Sequence, residues 1–349
     1  MMPTVMLTTH CPNACEWCFA RPKMEEYRAR GIREMSWDDF VRVVDFYERS
    51  GIRHMILLGG EPGLHSRFMD ILHFLSGKHF SILVGTTGAL PELLVESIVE
   101  AGFQGLNFAL NSTSYFEYER DQRKQVDHFL FRLGRRVALS YTITEKDLAR
   151  TGIEPVLDRI AMMVKFNLSR RLQFQIAVPG ERNRLFVPFD RYRDLAELVR
   201  GWFAVLRKNH IYGRLDCHCM PACAIPDDLR ETDFFTAKCE HFMIDIGPGG
   251  DIWPCFPLSQ QSSRLGQFGT LGDIHRHFNR MNAAERILYD EKCQDCRERE
   301  AGSCHGGCRG FLHIRRKPAG ETSENGPDIL ESNIPRTPLR QHARSFPCG

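Results

Sequence analysis

Residues 11–18 read Cys11-Pro12-Asn13-Ala14-Cys15-Glu16-Trp17-Cys18, three cysteines spaced CxxxCxxC just after an apolar, β-branched run from Thr4 to Leu7. Three thiolates on so short a loop can ligate three irons of a [4Fe-4S] cluster and leave the fourth iron without a protein ligand, open to a second molecule. Two other readings of these residues stand beside that one. A zinc site would want a fourth ligand such as His10, and unrelated buried thiols of a core are the remaining reading; the spacing favours the cluster over both.

Downstream, short β-branched or apolar runs alternate with longer amphipathic ones, the pattern of successive βα units on a parallel sheet. The pattern predicts strands over Thr4 to Leu7, His54 to Leu58, Ser81 to Val84, Leu106 to Leu110, Val137 to Thr142 and Gln173 to Val178. The clearest helix starts at Ser36 with Asp39 three residues on, as in a capping box, carries Phe40, Val43, Val44 and Tyr47 at helical spacing, and stops at Gly51. A second opens at Ser66 with Phe68, Ile71, Leu72 and Leu75, and others are expected over Pro91 to Ala101, Tyr115 to Leu133, Val156 to Phe166 and Tyr192 to Leu206.

At 349 residues, 42% hydrophobic and 26% charged, the chain has room for about two globular domains and is neither disordered nor collagen-like. A formal charge of +2 gives no overall field that would argue for a nucleic-acid or membrane partner. No basic stretch followed by an apolar core opens the sequence, and no run approaches the roughly 20 apolar residues that span a bilayer, so a cytoplasmic protein is expected. Thirteen cysteines are too few for a disulfide scaffold and cannot all pair within one chain. In a reducing compartment such clustered cysteines read as metal ligands or catalytic thiols.

The CxxxCxxC spacing after the first strand of a βα series, with Trp17 before the third cysteine and Phe19 after it, resembles the radical S-adenosylmethionine (SAM) superfamily. The resemblance implies an α/β fold, a partial (β/α)6 TIM-type barrel over residues 1–208. It implies that Cys11, Cys15 and Cys18 hold the catalytic [4Fe-4S] cluster and that its free iron binds the amino and carboxylate groups of SAM. An electron then cleaves SAM to methionine and a 5′-deoxyadenosyl radical. Gly59-Gly60-Glu61-Pro62 after the second strand matches the family's GGEP motif for the methionine end of SAM; glycines permit close backbone approach, and acceptors suit an ammonium group. The family's later SAM contacts fall here on Thr86 and Thr87, Asn111 and Ser112, Ser140 and Thr142, then Ile176 to Val178 near the adenine. Ser and Thr at strand ends equally cap the next helix, so these hydroxyls stand between two uses.

After about Asn209 the sequence turns to short strands, Gly/Pro turns and cysteines, which places a domain boundary there and a small domain over residues 209–349. Gly247-Pro248-Gly249-Gly250 reads as a hairpin turn between Met243 to Ile246 and Asp251 to Trp253, and Lys317 to Pro347 as a long irregular excursion to Cys348. Cys239, then Cys255 in GxxxxC, then Cys293, Cys296, Cys304 and Cys308 spaced CxxCx7CxxxC, then Cys348, resemble the SPASM domain of radical SAM enzymes, which carries two auxiliary [4Fe-4S] clusters. Seven residues separate Cys296 from Cys304, where five are usual. By this resemblance the first auxiliary cluster takes Cys239, Cys255, Cys308 and one of Cys217, Cys219 or Cys223, with Cys223 preferred. The second takes Cys293, Cys296, Cys304 and Cys348. Without the N-terminal match, the same cysteines with His305 would suit one or two structural zinc ions.

The resemblance implies an oxidoreductase that abstracts hydrogen from an unactivated carbon and draws electrons from a partner such as flavodoxin or ferredoxin. Many SPASM enzymes oxidise, crosslink or epimerise ribosomally made peptides or proteins, and an open partial barrel suits an extended substrate, so a peptide substrate is the first expectation. Ten residues precede Cys11, too few for the leader-recognition domain of many such maturases, so a peptide would need direct docking or a separate recognition protein. Phe256 follows Cys255 where sulfatase-maturing members have Asp, which argues against that activity. A small-molecule dehydrogenase or carbon-skeleton enzyme is the runner-up, and a noncatalytic zinc-binding scaffold the reading from another class.

Overall fold

The computed structural model describes residues 3–149, 152–178, 183, 185–216, 219–230, 235, 237, 244–283 and 293–311, all within one compact unit, Met1–Arg315. Cys217, Cys239, Cys348 and the Lys317 to Pro347 stretch lie outside the described residues.

Seven strands pair in parallel and in chain order: β1 (Thr4–Met6), β2 (His54–Leu58), β3 (Ser81–Thr86), β4 (Leu106–Asn111), β5 (Val137–Ile143), β6 (Arg171–Ile176) and β7 (Tyr212–Asp216). The helices α1 (Arg21–Ala29), α2 (Trp37–Arg49), α3 (Phe68–Gly77), α4 (Glu92–Ala101), α5 (Arg120–Leu133), α6 (Glu145–Ala149), α7 (Glu154–Lys165) and α8 (Tyr192–Lys208) lie between the strands. This is the expected α/β partial barrel. Burial alternates along β2, β3 and β4, so Met55, Leu57, Ile82, Val84, Phe108 and Leu110 are sealed while their neighbours stay half-buried or exposed. The sealed residues share one core with the helices, as where Phe108 meets Phe129 of α5 edge-on at 5.3 Å.

All six expected strands form, and α2 is capped as expected, with Ser36 Oγ accepting from the Asp39 N–H at 3.1 Å. The expected helix from Tyr115 is broken. Tyr115–Glu117 is a 3-10 turn and α5 begins at Arg120; the Tyr115 hydroxyl donates to Asp127 at 2.5 Å and Asn13 donates to the Tyr118 hydroxyl at 2.9 Å. Between the two elements Tyr118 is extended, at φ −65° and ψ 140°, which ends the turn before α5 starts.

Beyond Asn209 the same sheet continues at both edges. β7 extends it past β6, and β8 (Asp245–Ile246), β9 (Asp251–Trp253) and β10 (Ser263–Arg264) extend it past β1, in the order β10-β9-β8-β1-β2-β3-β4-β5-β6-β7. β8 and β9 form the expected antiparallel hairpin, with Gly250 at φ +73° in the turn, and β8 runs parallel to β1 with Asp245 opposite Thr4. The hairpin also grips α1. The Asp251 carboxylate accepts from the Tyr27 hydroxyl and from Arg30, each at 3.0 Å, and Trp253 joins Met6, Ala20, Met24 and Tyr27 in a small second core.

Asp245 is fully buried where β8 meets β1. Burial pushes its carboxyl up from 3.8 to about 7, against the Thr4 hydroxyl and the Phe256 N–H that favour the charged form. A carboxyl raised on folding contributes most below its unfolded value, and that contribution is lost as pH rises toward the folded value. Asp245→Asn keeps an acceptor for Thr4 without the buried charge. The thermal midpoint of this variant should gain on wild type as pH rises from about 4 to about 7; a constant difference across that interval contradicts the account.

Candidate active site

Because β1 to β7 run the same way, their carboxyl ends collect at one edge, where open α/β sheets bind ligands. Every described residue expected to touch SAM or its cluster lies along that edge. The three-cysteine loop follows β1, Gly59 to Pro62 follow β2, and Thr86 and Thr87 end β3. Asn111 and Ser112 end β4, Ser140 and Thr142 sit in the second half of β5, and Ile176 and Val178 lie at and beyond the end of β6.

The two glycines lie against the chain's own cysteine loop. A Cβ on Gly60 would stand 2.0 Å from the His10 carbonyl oxygen and 3.1 Å from Cys11 Cβ, and one on Gly59 would stand 2.7 Å from the Thr8 oxygen. The Gly60 N–H donates to Thr8 O at 2.7 Å and the Glu61 N–H to His10 O at 2.6 Å, which clasps the two loops together. Glu61 itself is fully buried. Its carboxylate accepts from Thr86 Oγ1 at 2.8 Å, the Thr87 N–H at 2.7 Å and Thr87 Oγ1 at 2.6 Å, tying the ends of β2 and β3. Burial raises its pKa, and these bonds oppose the rise.

Cys11, Cys15 and Cys18 are all partly buried. Burial, with smaller contributions from Glu61, Cys18 and Cys15, pushes the Cys11 thiol up to about 12, against the Asn13 N–H that favours the thiolate. Burial likewise raises Cys15, with Cys18 adding and the Ser114 hydroxyl opposing, and raises Cys18, against the Ala20 and Arg21 N–H groups. The three thiols therefore share one desolvated space. Among the described residues, no three His, Cys, Asp or Glu side chains close on a point that would hold a single ion. Three mutually interacting thiols, with backbone donors and a glycine-only wall, fit a polynuclear iron-sulfur group at this loop. The loop is braced by Asn13, whose amide contacts Tyr118 and Gln122, and by Arg21, which donates to Cys15 O at 2.8 Å. Phe19 packs on Phe256 at 4.8 Å, and Cys18 rests against the small core of Trp253.

Several of the strand-end hydroxyls are already engaged. Thr86 is bound to Glu61, Ser112 Oγ donates to Ser140 O at 2.7 Å, and Ser140 Oγ donates to Leu110 O at 3.2 Å. Asn111 Oδ1 accepts from the Thr113 N–H at 3.1 Å. The sequence reading missed Arg159, a buried arginine on α7 that donates to Ser112 O at 2.6 Å and lies over the Tyr141 ring at 4.5 Å. It also missed Asn13 and gave Tyr118 no separate place. The one available signal was the polar Asn13 inside the cysteine loop. Beside these residues opens a cleft of about 590 Å³, lined in part by Trp17, Phe116, Glu117, Lys146, Asp147 and Arg159. Trp17 belongs to the cysteine loop, so the cleft borders the site.

The C-terminal cysteines fall into two places. Cys223 feels the sulfurs of Cys304, Cys293 and Cys296, whereas Cys219 and Cys308 both act on the buried Tyr192 phenol. This departs from the expected grouping of Cys223 with Cys255 and Cys308.

A profile of the Radical SAM superfamily matches residues 5–174, the stretch that holds the cysteine loop, the Gly-Gly-Glu-Pro clasp and β1 to β6 almost entire. The chain carries a radical SAM domain over residues 5–174. The radical SAM family consists of enzymes, and a domain of this family implies SAM and a [4Fe-4S] cluster. Among curated proteins it is similar to the probable GTP 3′,8-cyclase of Pyrococcus abyssi, 24% identical over 180 residues, which cover 51% of this chain and 57% of that one. It is also similar to the tungsten-containing aldehyde ferredoxin oxidoreductase cofactor-modifying protein of Pyrococcus furiosus, 28% identical over 108 residues, or 30% of this chain and 29% of that one. The match thus spans little more than half of the first relative and under a third of the second. Among solved structures, Streptococcus suis SuiB bound to S-adenosylmethionine aligns with a TM-score of 0.64 at 16% identity, over 90% of this chain and 75% of that one. Native anSMEcpe with bound AdoMet aligns with a TM-score of 0.59 at 17% identity, over 89% and 90%. Both alignments thus cover about nine tenths of this chain. No helix among the described residues is long and apolar enough to cross a membrane.

The clasp predicts a local effect. Gly60→Ala must push the His10 carbonyl off the loop, so Cys11, Cys15 and Cys18 of the metal-free chain should react faster with a disulfide reagent than in wild type. Gly77→Ala, whose Cβ meets nothing within 4 Å, serves as control. Equal thiol rates in the two variants would refute the clasp.

Proposed function

We propose that this radical SAM enzyme binds its catalytic [4Fe-4S] cluster through Cys11, Cys15 and Cys18 and abstracts hydrogen from a peptide or protein substrate. The observation that carries the proposal is the convergence of three interacting thiols and the Gly59 to Pro62 segment on one carboxyl edge. Bound there, SAM and the cluster supply a 5′-deoxyadenosyl radical, the hard chemistry that the protein has to position and shield.

The residues then divide the remaining work. Gly59 and Gly60 let the β2 loop lie flat beside the cysteines, and Glu61 fixes that loop through Thr86 and Thr87. Asn111 and Thr142 line the place for the polar part of SAM, and Ile176 and Val178 offer apolar surface to its adenine. Ser112 and Ser140, with hydroxyls donated to backbone, shape that edge and contact SAM through the main chain if at all. Residues 209–349 make up a SPASM-type domain with two auxiliary clusters drawn from Cys239, Cys255, Cys293, Cys296, Cys304, Cys308 and Cys348 and the group Cys217, Cys219 and Cys223. A flavodoxin or ferredoxin supplies electrons in the cytoplasm.

For the substrate, the SuiB neighbour is also described bound to its precursor peptide SuiA, at a TM-score of 0.64 and 15% identity. The cleft beside Trp17 has a mixed aromatic and charged lining suited to peptide side chains. A small-molecule substrate is the second reading, favoured by relatives named GTP 3′,8-cyclases.

The test is anaerobic reconstitution followed by dithionite reduction with SAM. Wild type should release 5′-deoxyadenosine, and Cys11→Ala, Cys15→Ala and Cys18→Ala should each fall to background. Incubation with deuterated candidate peptides or with deuterated GTP then separates the substrate classes by which one transfers deuterium into 5′-deoxyadenosine. Zinc in place of iron, with SAM intact, refutes the proposal.

A further inference from the structure

Two short segments of the C-terminal part, Cys219 to Cys223 and Cys304 to Cys308, share the same CxxxC spacing. They lie against each other. The Ala222 N–H donates to Cys304 Sγ at 3.4 Å, and the same sulfur accepts from the Gly306 N–H at 3.3 Å. Further along, a Cβ on Gly307 would stand 3.1 Å from Pro221 Cδ and 3.6 Å from Cys219 O, and Gly307 has φ +92°, so only glycine allows this approach without strain. Residue 222 is thus opposite 304, and residues 219 to 221 are opposite 307. The two segments run antiparallel.

An antiparallel pair of CxxxC segments sends its cysteines to opposite ends. Cys223 and Cys304 share one end, and Cys219 and Cys308 share the other, beside the buried Tyr192 ring. The first end also receives Cys293 and Cys296. They are among the sulfurs that Cys223 feels, and Arg299, from the helix that follows Cys296, donates back to Cys293 O at 2.8 Å. The second end receives the Cys255 segment. Pro257 packs on Gly310, where a Cβ would stand 2.6 Å from Pro257 Cβ and 3.4 Å from Cys308 Sγ.

We infer that Cys223 is the fourth thiolate of the auxiliary [4Fe-4S] cluster held by Cys293, Cys296 and Cys304, and that Cys219 belongs with Cys255 and Cys308 at the other. The inference rests on reading the C-terminal cysteines as cluster ligands. It reverses the assignment of Cys223 that motif order gives, because motif order carries no information about how the two CxxxC segments cross. Four thiols then complete one cluster from described residues alone. The two N–H donors on Cys304 Sγ stabilise the thiolate and favour the reduced cluster.

The test uses the full chain with Cys11, Cys15 and Cys18 all changed to Ala, so that iron reports only auxiliary clusters. After anaerobic reconstitution this chain should hold iron and sulfide, and adding Cys223→Ala should remove about half of the iron. Adding Cys304→Ala to Cys223→Ala should remove no more, whereas adding Cys308→Ala should remove the rest, the non-additivity expected of residues that act on one group. Should the alanine variant fold poorly, Cys223→Ser provides a second reading by shifting the electron paramagnetic resonance of one reduced cluster and leaving the other unchanged. In the chain with all its cysteines, exposed Cys223 should be alkylated before reconstitution and protected after it. The inference is overturned if Cys223→Ala keeps all the iron, if Cys223 stays open to alkylation in the loaded chain, or if its loss adds to that of Cys304 but not to that of Cys308. A chain that binds no iron in this background removes the auxiliary-cluster reading itself, whereas SAM cleavage by wild type tests the catalytic cluster separately.

Discussion

The contact between Gly60 and the His10 carbonyl sets the spacing on which the rest of this site depends. No side chain fits between them, so the end of β2 lies backbone to backbone against the cysteine loop that leaves β1. The next residue, Glu61, is driven into the interior, where an unpaired carboxylate would cost several kcal/mol. Three hydrogen bonds from Thr86 and Thr87 offset that cost and carry the register on to β3. A loop of three cysteines would otherwise be free to spread, and here it is held by neighbours whose own positions are over-determined.

A second support comes from far along the chain. Asp251 holds Tyr27 and Arg30 of α1, and Trp253 and Phe256 close over the residues around Cys18. The segment that carries Cys255 therefore buttresses the helix that follows the first cysteine loop. Opening one would disturb the other, which ties the Cys255 segment to the first cysteine loop.

Much of this was legible in the residues. Alternating apolar runs marked β1 to β6 because each strand has one sealed face, and the Gly-Pro-Gly-Gly turn marked the β8-β9 hairpin. The helix α1 escaped notice because it opens at Ala20 with no side-chain cap and has a largely polar sequence. β7 escaped because Tyr212 to Asp216 is a short strand at the sheet's edge, with Tyr212 exposed and no strong alternation to mark it. Pairings distant in sequence left no local signal at all: β8 against β1, Asn13 against Tyr118, and Ala222 against Cys304 depend on how separated segments meet. For the same reason, the hydroxyls of Ser112 and Ser140, which the sequence left between ligand contacts and helix caps, donate in the fold to backbone of neighbouring strands.

On the proposed function, the chemistry follows from an incomplete ligand set: three protein thiols for four irons, at an edge where backbone and buried carboxylate are already fixed. The most direct measurement is electron paramagnetic resonance of the reduced, reconstituted chain before and after SAM is added. The account predicts that one cluster signal changes shape on addition of SAM and that this signal is missing from Cys18→Ala. A spectrum indifferent to SAM, with all cluster signals retained in Cys18→Ala, would contradict an open iron at the Cys11, Cys15, Cys18 loop.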